Sequence, residues 1–163
     1  LQSGKIDLII AGMTVTDERK KAVDFSESYY TASQVIIVPA DNAAIKSFDD
    51  LKGKNVGVQI GTTGDTVISE IKEITNTKYN NGSEAVLALT TQKVDAVVID
   101  NEPAKNFVAK NTGLKVVDTG AVKEDYAIAI AKGNKELLDK VNTGLKTLKE
   151  NGKYDELIAK WFK

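Results

Sequence analysis

Aliphatic runs that do not alternate with polar residues punctuate this chain: "IDLII" from Ile6, "QVIIV" from Gln34, "NVGVQI" from Asn55, "VDAVVI" from Val94, "LKVVD" from Leu114 and "YAIAIAK" from Tyr126. Short runs of that kind predict strands covered on both faces. Between them lie stretches of helical period with polar starts and glycine or proline stops. Helices are predicted from about Asp17 to Val23, Ser47 to Gly53, Asp65 to Ile74 and Ser83 to Gln92, and over "EPAKNFVAKN" with Pro103 in its first turn. The tail from Asn134 predicts two further helices divided near Gly152. Alternation of this kind predicts an α/β fold with a largely parallel sheet. "LQSGKIDLIIAG" from Leu1 is echoed by "LTTQKVDAVVID" from Leu89, which suggests a repeated strand unit in two lobes.

Composition narrows the chemistry more than the fold. The 163 residues carry a net charge of −1, with 22 basic and 23 acidic side chains, so nothing calls for nucleic acid or an anionic membrane. There is no cysteine and no histidine. Thiolate chemistry and disulfides are therefore excluded, as are the commonest general base and the commonest metal ligand. Catalysis is not expected, nor is a cofactor or a metal. The apolar run that begins at Ile6, with no Met or polar lead-in, has the look of a processed piece.

Three strand ends hold the candidate chemistry. In "GMTVTDERKK", Thr16 reads as a helix N-cap, and Arg19 occupies the third helical position, where a capping box would place Glu or Gln. A cation there is disfavoured by a few tenths to about 1 kcal/mol. Either it pairs with Asp17, Glu18 or Asp24, or it holds an anion; a carboxylate would suit its two-pronged guanidinium, with Thr14 able to add a hydroxyl. "QIGTTGDT", from Gln59, sets glycines either side of Thr62 and Thr63 before a helix start, where close backbone approach and free N–H groups suit a ligand. Its plainer reading is a capped helix with Asp65 or Thr66 as cap. Asp100 ends "VDAVVID" and reads as a helix N-cap or as a carboxylate facing a ligand cation. Tyr29, Tyr30, Tyr126, Trp161 and Phe162 read as packing or lobe-junction residues.

The stretches "GKIDLIIAGMTVTDERKKAVDFSESYY", "VGVQIGTTGD", "KVDAVVIDNEPA", "EDYAIAIAKGN" and "LKENGKYDELIAKWF" resemble the polar amino-acid-binding proteins of ABC importers, type II periplasmic solute-binding proteins. The resemblance covers essentially the whole chain. It implies a two-lobed periplasmic-binding-protein-like α/β fold with ligand trapped between the lobes. Lobe 2 is expected at residues 31–122, complete. Partial lobe 1 is expected at residues 1–30, with its return strand and C-terminal helices at 123–163. Tyr29 to Ser33 and Val122 to Tyr126 would be the crossing strands.

By the same resemblance, Arg19 clamps the α-carboxylate of an amino acid, helped by Thr14 and Thr63. Asp100 takes the α-ammonium with the Gly12 carbonyl. Gln59 and Thr62 lie near the ligand from lobe 2. The implied function is extracytoplasmic binding of a polar or cationic L-amino acid, of the arginine or glutamine class, and its delivery to ABC transporter membrane subunits. The place is the periplasmic or extracellular face of a bacterial membrane, with the protein secreted or lipid-anchored and the signal segment absent from this chain. Alternatives are a sensor or receptor domain, a dehydratase-like enzyme, and a fragment with no ligand of its own. Relatives are expected to carry roughly 60 residues before the stretch matching Leu1, the size of a strand–helix–strand unit with flanks. Without them, this chain is expected to bind weakly and to self-associate or swap its C-terminal helices.

Overall fold

The computed structural model describes residues 1–120 and 123–162. The chain divides into two compact units, one comprising Ala32–Lys123 and the other Leu1–Thr31 with Glu124–Lys163. Ala121 and Val122, at the expected end of lobe 2 and start of the second crossing, lie outside the described residues. The chain passes from one unit to the other between Thr31 and Ala32. That passage lies inside β2 (Val23–Pro39), a continuous strand of 17 residues where the sequence suggested a separate crossing and a five-residue strand.

The larger unit is a five-stranded sheet. Its strands are the second half of β2, β3 (Asn55–Gln59), β4 (Thr75–Tyr79), β5 (Ala96–Asp100) and β6 (Leu114–Val117). Strand β3 pairs in parallel with both β4 and β5, whereas β2 runs antiparallel to β5 on one side and β6 on the other. The expectation of a largely parallel sheet therefore needs one correction. Four strands, β3 to β6, point the same way and are joined in order by three helical crossovers, but β2 arrives directly from the other unit and carries no such constraint. Helices α2 (Thr63–Glu70), α3 (Gly82–Thr90) and α4 (Asn101–Lys110) make the crossovers.

Both faces of this sheet are covered, which is why its strands show no polar alternation. Val35, Ile37 and Val97 pack with Ala85, Val86, Leu89 and Ala104 of α3 and α4. Ile36, Val38 and Val98 pack with Leu51, Val56, Val58 and Ile68 on the opposite face. Every side chain from Val35 to Val38 is fully buried.

Three expectations shift here. Strand β4, "TNTKY", had no aliphatic signal, because it is a half-exposed edge pairing only with β3. The helix expected to reach Ile74 stops at Glu70, where Ile71 turns extended. The helix expected over Ser47–Gly53 is a single 3-10 turn, Asp49–Leu51.

In the smaller unit, β1 (Leu8–Ile9) pairs antiparallel with β7 (Lys123–Ala131), and β7 also neighbours β2. Strand β1 was expected to be a fully buried run from Ile6. It is two half-buried residues at a sheet edge, with Ile6 and Ile10 exposed, because it has a strand on one side only. It starts 88 residues before β5, as the echo required, but the following helices, α1 (Asp17–Ala22) and α4, do not keep that offset. Helix α5 (Lys135–Glu150) lays Leu137, Leu138, Val141 and Leu145 on Ile128 and Ile130. Gly152, at φ 76°, separates it from α6 (Lys153–Trp161). Tyr30 packs on Phe162 and Tyr126, at centroid separations of 4.2 and 5.9 Å, as packing aromatics should. Trp161 instead is exposed, with the Lys160 ammonium over its ring.

Ile37 lies at the centre of the larger unit with no exposed surface. Ile37→Ala should destabilise that unit by about 2–5 kcal/mol, read from urea unfolding, since the close-packed surround cannot collapse into the space. A loss below about 1 kcal/mol would contradict the two-sided packing described here.

Candidate functional site

In the smaller unit the segment from Gly12 to Val15 is pinned to β7. Val15 N–H donates to the Asp125 carbonyl at 2.9 Å and Ala127 N–H to the Met13 carbonyl at 3.2 Å. This docking buries Thr14 and places Gly12 so near the Tyr126 ring that a β-carbon there would lie 3.2 Å from it. Thr16 caps α1 as its sequence suggested, its hydroxyl oxygen accepting from Arg19 N–H at 3.1 Å. Arg19 folds back so that Nη1 donates to the Thr14 carbonyl at 2.8 Å. Its two plain-reading neighbours pair elsewhere, Asp17 with Lys20 and Glu18 with Lys21, and Asp24 pairs with Lys132. Surface pairing with those three carboxylates thus accounts for lysines.

Thr14 has a partner that the sequence did not suggest. Its hydroxyl donates to Glu124 Oε2 at 2.6 Å, both residues being buried. A hydroxyl has one hydrogen, so in this arrangement Thr14 offers Arg19 its carbonyl while its O–H serves Glu124. Glu124 was missed in the sequence, where "KEDYAIAIA" shows a charged strand start and nothing more.

In the larger unit the loop after β3 is organised by Thr62, which is the true cap of α2 in place of Asp65 or Thr66. Its hydroxyl accepts from Asp65 N–H at 3.3 Å and donates to the Gln59 carbonyl at 2.8 Å. That second bond ties Gln59, at the end of β3, to the helix start. Asp65 is buried and cinches the loop: it accepts from Gly61 N–H at 3.0 Å, from Ser69 at 3.1 Å and from Asn76 at 3.0 Å. It also pairs with Lys78 at 2.8 Å. Burial is the largest single influence on its carboxyl and opposes ionisation. The Lys78 ammonium and the Gly61, Asn76 and Ser69 donors together outweigh it, so the pKa falls below the ordinary 3.8.

Asp100 occupies the N-cap position of α4, yet its side chain makes no capping bond there. Instead its Oδ1 accepts from Gln34 Nε2, and Gln34 Nε2 donates also to the Thr63 hydroxyl at 3.1 Å. Asn101 turns back to accept from Ser33 N–H at 3.2 Å. Thr63, Asp100, Thr62 and Gln59 thus converge at one end of the sheet, where β3 and β5 both end. Gly12, Thr14 and Arg19 gather at α1 of the other unit. Gln34 was missed because a polar residue opening an aliphatic run reads as a strand start.

A family model described as "Bacterial extracellular solute-binding proteins, family 3" matches residues 1–163. The chain belongs to that family. It is 36% identical, over 99% of its length, to a "Probable histidine-binding protein" of Campylobacter jejuni, and 38% identical, over 99%, to the "Arginine-binding extracellular protein ArtP" of Bacillus subtilis. It spans 64% and 65% of those two relatives. Among solved structures it superimposes on a mutant of ArgBP from T. maritima with a TM-score of 0.95 at 46% identity, covering 99% of this chain and 71% of that one. At that likeness the family member shares the α/β periplasmic-binding-protein fold.

Because the Asp65 pKa is lowered on folding, its contribution to stability is fully present above pH 3.8 and is lost as pH falls below that value. Asp65→Asn should destabilise the larger unit at neutral pH by about 1–3 kcal/mol, and should flatten the fall in thermal midpoint between pH 4 and pH 2. An unchanged acid profile would show that Asp65 is not held in its charged form.

Proposed function

We propose that this family member binds a free L-amino acid of the polar or cationic class outside the cytoplasm and hands it to the membrane subunits of an ABC transporter. The observation that carries the reading is Asp100. A carboxylate at a helix N-cap position ordinarily caps, and this one is held off that duty beside Thr63 at the first turn of α2. A zwitterion needs an anion for its ammonium and cations or N–H donors for its carboxylate. Asp100 answers the first need. Arg19, with Thr14 beside it, and Thr63 at the N-terminus of α2 answer the second, while the Gly12 carbonyl would assist Asp100 with the first. Gln59 and Thr62, tied together at the loop, would meet the rest of the ligand.

Relatives named for histidine and arginine binding support this ligand class, and the reading is one of binding without catalysis. We read the two units, Leu1–Thr31 with Glu124–Lys163 and Ala32–Lys123, as the first and second lobes of such a fold. Among the described residues no helix is long and apolar enough to cross a membrane. The edge strand β1, with Ile6 and Ile10 exposed beside it, favours self-association, and light scattering that returns the monomer mass at high concentration would refute that.

Calorimetric titration of the full-length protein with L-arginine, L-glutamine and L-histidine tests the main reading. Arg19→Lys should weaken the amino acid that binds by on the order of 2 kcal/mol, because lysine keeps the charge but loses the fork. Asp100→Asn should weaken it comparably while the unfolding midpoint barely moves. Asparagine still accepts from Gln34, and no cap is lost. Affinities within twofold of the parent for both variants would remove the two charge partners and the reading with them.

A further inference from the structure

The sequence holds two Asn-Gly pairs, Asn81-Gly82 and Asn151-Gly152, and the binding reading above uses neither. A glycine after asparagine has no side chain to keep its main-chain nitrogen away from the neighbouring amide carbon. Whether that nitrogen reaches the carbon is then decided by the fold.

The two pairs are held differently. Asn81 caps α3, its Oδ1 accepting from Glu84 N–H at 2.9 Å and its Nδ2 donating to Glu84 Oε1 at 3.0 Å. That amide is held at both ends. Gly82 is buried, and a β-carbon on it would lie 2.8 Å from Ile99 Cδ1 and 3.2 Å from the Phe107 ring. Turning the Gly82 nitrogen onto Asn81 would break the cap and lift the start of α3 off those two side chains.

Asn151 is exposed at the junction of α5 and α6, and no atom lies within 4 Å of where a β-carbon on Gly152 would stand. Its Oδ1 accepts from Lys153 N–H at 3.0 Å. A backbone donor on that oxygen draws electrons from Cγ and stabilises the oxyanion formed when a nucleophile adds there. Gly152 N–H donates to the Lys149 carbonyl at 3.3 Å, a long bond in the last turn of α5, where helices open most readily.

We propose that Asn151 is a modification site, converted by water to aspartate and iso-aspartate, whereas Asn81 is protected by its cap. The Gly152 nitrogen gives its proton to a solvent base and attacks Asn151 Cγ. The N–Cγ bond forms and the Cγ–Nδ2 bond breaks, Nδ2 leaving as ammonia with a proton taken from water. Water then opens the cyclic imide. Cleavage at Cγ gives aspartate; cleavage at the Asn151 main-chain carbonyl carbon gives iso-aspartate, whose main chain runs through Cβ and Cγ. Two grips on β2 flank this junction. Lys149 Nζ donates to the Ser28 carbonyl at 3.3 Å, and the Tyr154 hydroxyl donates to the Tyr29 carbonyl. Iso-aspartate sets one extra main-chain atom between the two grips and so loosens α6 from β2; aspartate adds only a charge. None of this depends on which ligand is bound.

The full-length protein is kept in warm, mildly alkaline buffer, both folded and in guanidinium chloride, and peptide mass mapping follows Asn81 and Asn151. Enzymatic methylation of iso-aspartate identifies that product. In the folded protein Asn151 should convert at least tenfold faster than Asn81, and in the unfolded protein the two rates should lie within threefold. Asn151→Gln, which cannot close the same ring as readily, should suppress conversion at that position by at least tenfold. Aged protein should unfold at a lower temperature than fresh protein, while Asn151→Asp, with the charge but a normal main chain, should stay near the parent. Folded-state rates that are equal, that favour Asn81, or that are negligible at both sites while both convert when unfolded would overturn the site. Equal midpoints for fresh and fully converted protein would overturn the loosening of α6.

Discussion

The larger unit depends on one constraint, the burial of its sheet on both faces. With helices required on each side, β4 and β5 are reached from β3 through helical crossovers and so point the same way as β3. Their carboxyl ends therefore lie side by side, which is where open α/β sheets bind ligands. Gln59 ends β3 and Asp100 ends β5, and the loop after β3 delivers Thr62 and Thr63 to the same edge. The antiparallel β2 completes the set, because its direction brings the first residue of its buried run, Gln34, to the edge where its neighbours finish.

Polar groups at that edge are arranged by a division of labour among residues of similar type. Four could have capped helices: Thr62, Asp65, Thr66 and Asp100. Thr62 takes the cap of α2, and Asp65 is spent on loop closure with Lys78, Asn76 and Ser69. Asp100 accepts from Gln34, whose amide nitrogen also donates to Thr63. The two carboxylates, Asp65 and Asp100, are chemically identical, and only their neighbours tell them apart. Arg19 shows the same logic on the other unit, where lysines take the nearby carboxylates and the arginine turns to the Thr14 carbonyl.

Much of this was legible in the chain itself. The aliphatic runs at Gln34, Asn55, Val94 and Tyr126 become strands because burial on two faces and non-alternating sequence are the same fact seen twice. Thr16 caps α1 and Gly152 divides the terminal helices because capping hydroxyls and left-handed backbone are local requirements, met within a few residues. Arg19, Asp100 and the "QIGTTGDT" loop stood out because their charges or glycines sit at strand ends. Strand β4 was not legible, since an edge strand is stabilised by backbone pairing with β3 rather than by an apolar pattern. The extent of β1 was misjudged for the converse reason: "IDLII" has the pattern, but a strand paired on one side buries little of it.

Sequence by itself therefore determined the class of fold, the position of most elements and the residues bearing unusual charge, all of which follow from periodicity and local chemistry. Tertiary structure alone decided partnerships. Which of Thr62, Asp65 and Thr66 caps α2, that Thr14 donates to Glu124, and that a glutamine 66 positions from Asp100 donates both to it and to Thr63 are outcomes of strand register and loop closure. Hydrogen bonds between residues so distant in the chain leave no periodic trace, because each needs only one suitable side chain at a place that the fold, and not the local sequence, supplies.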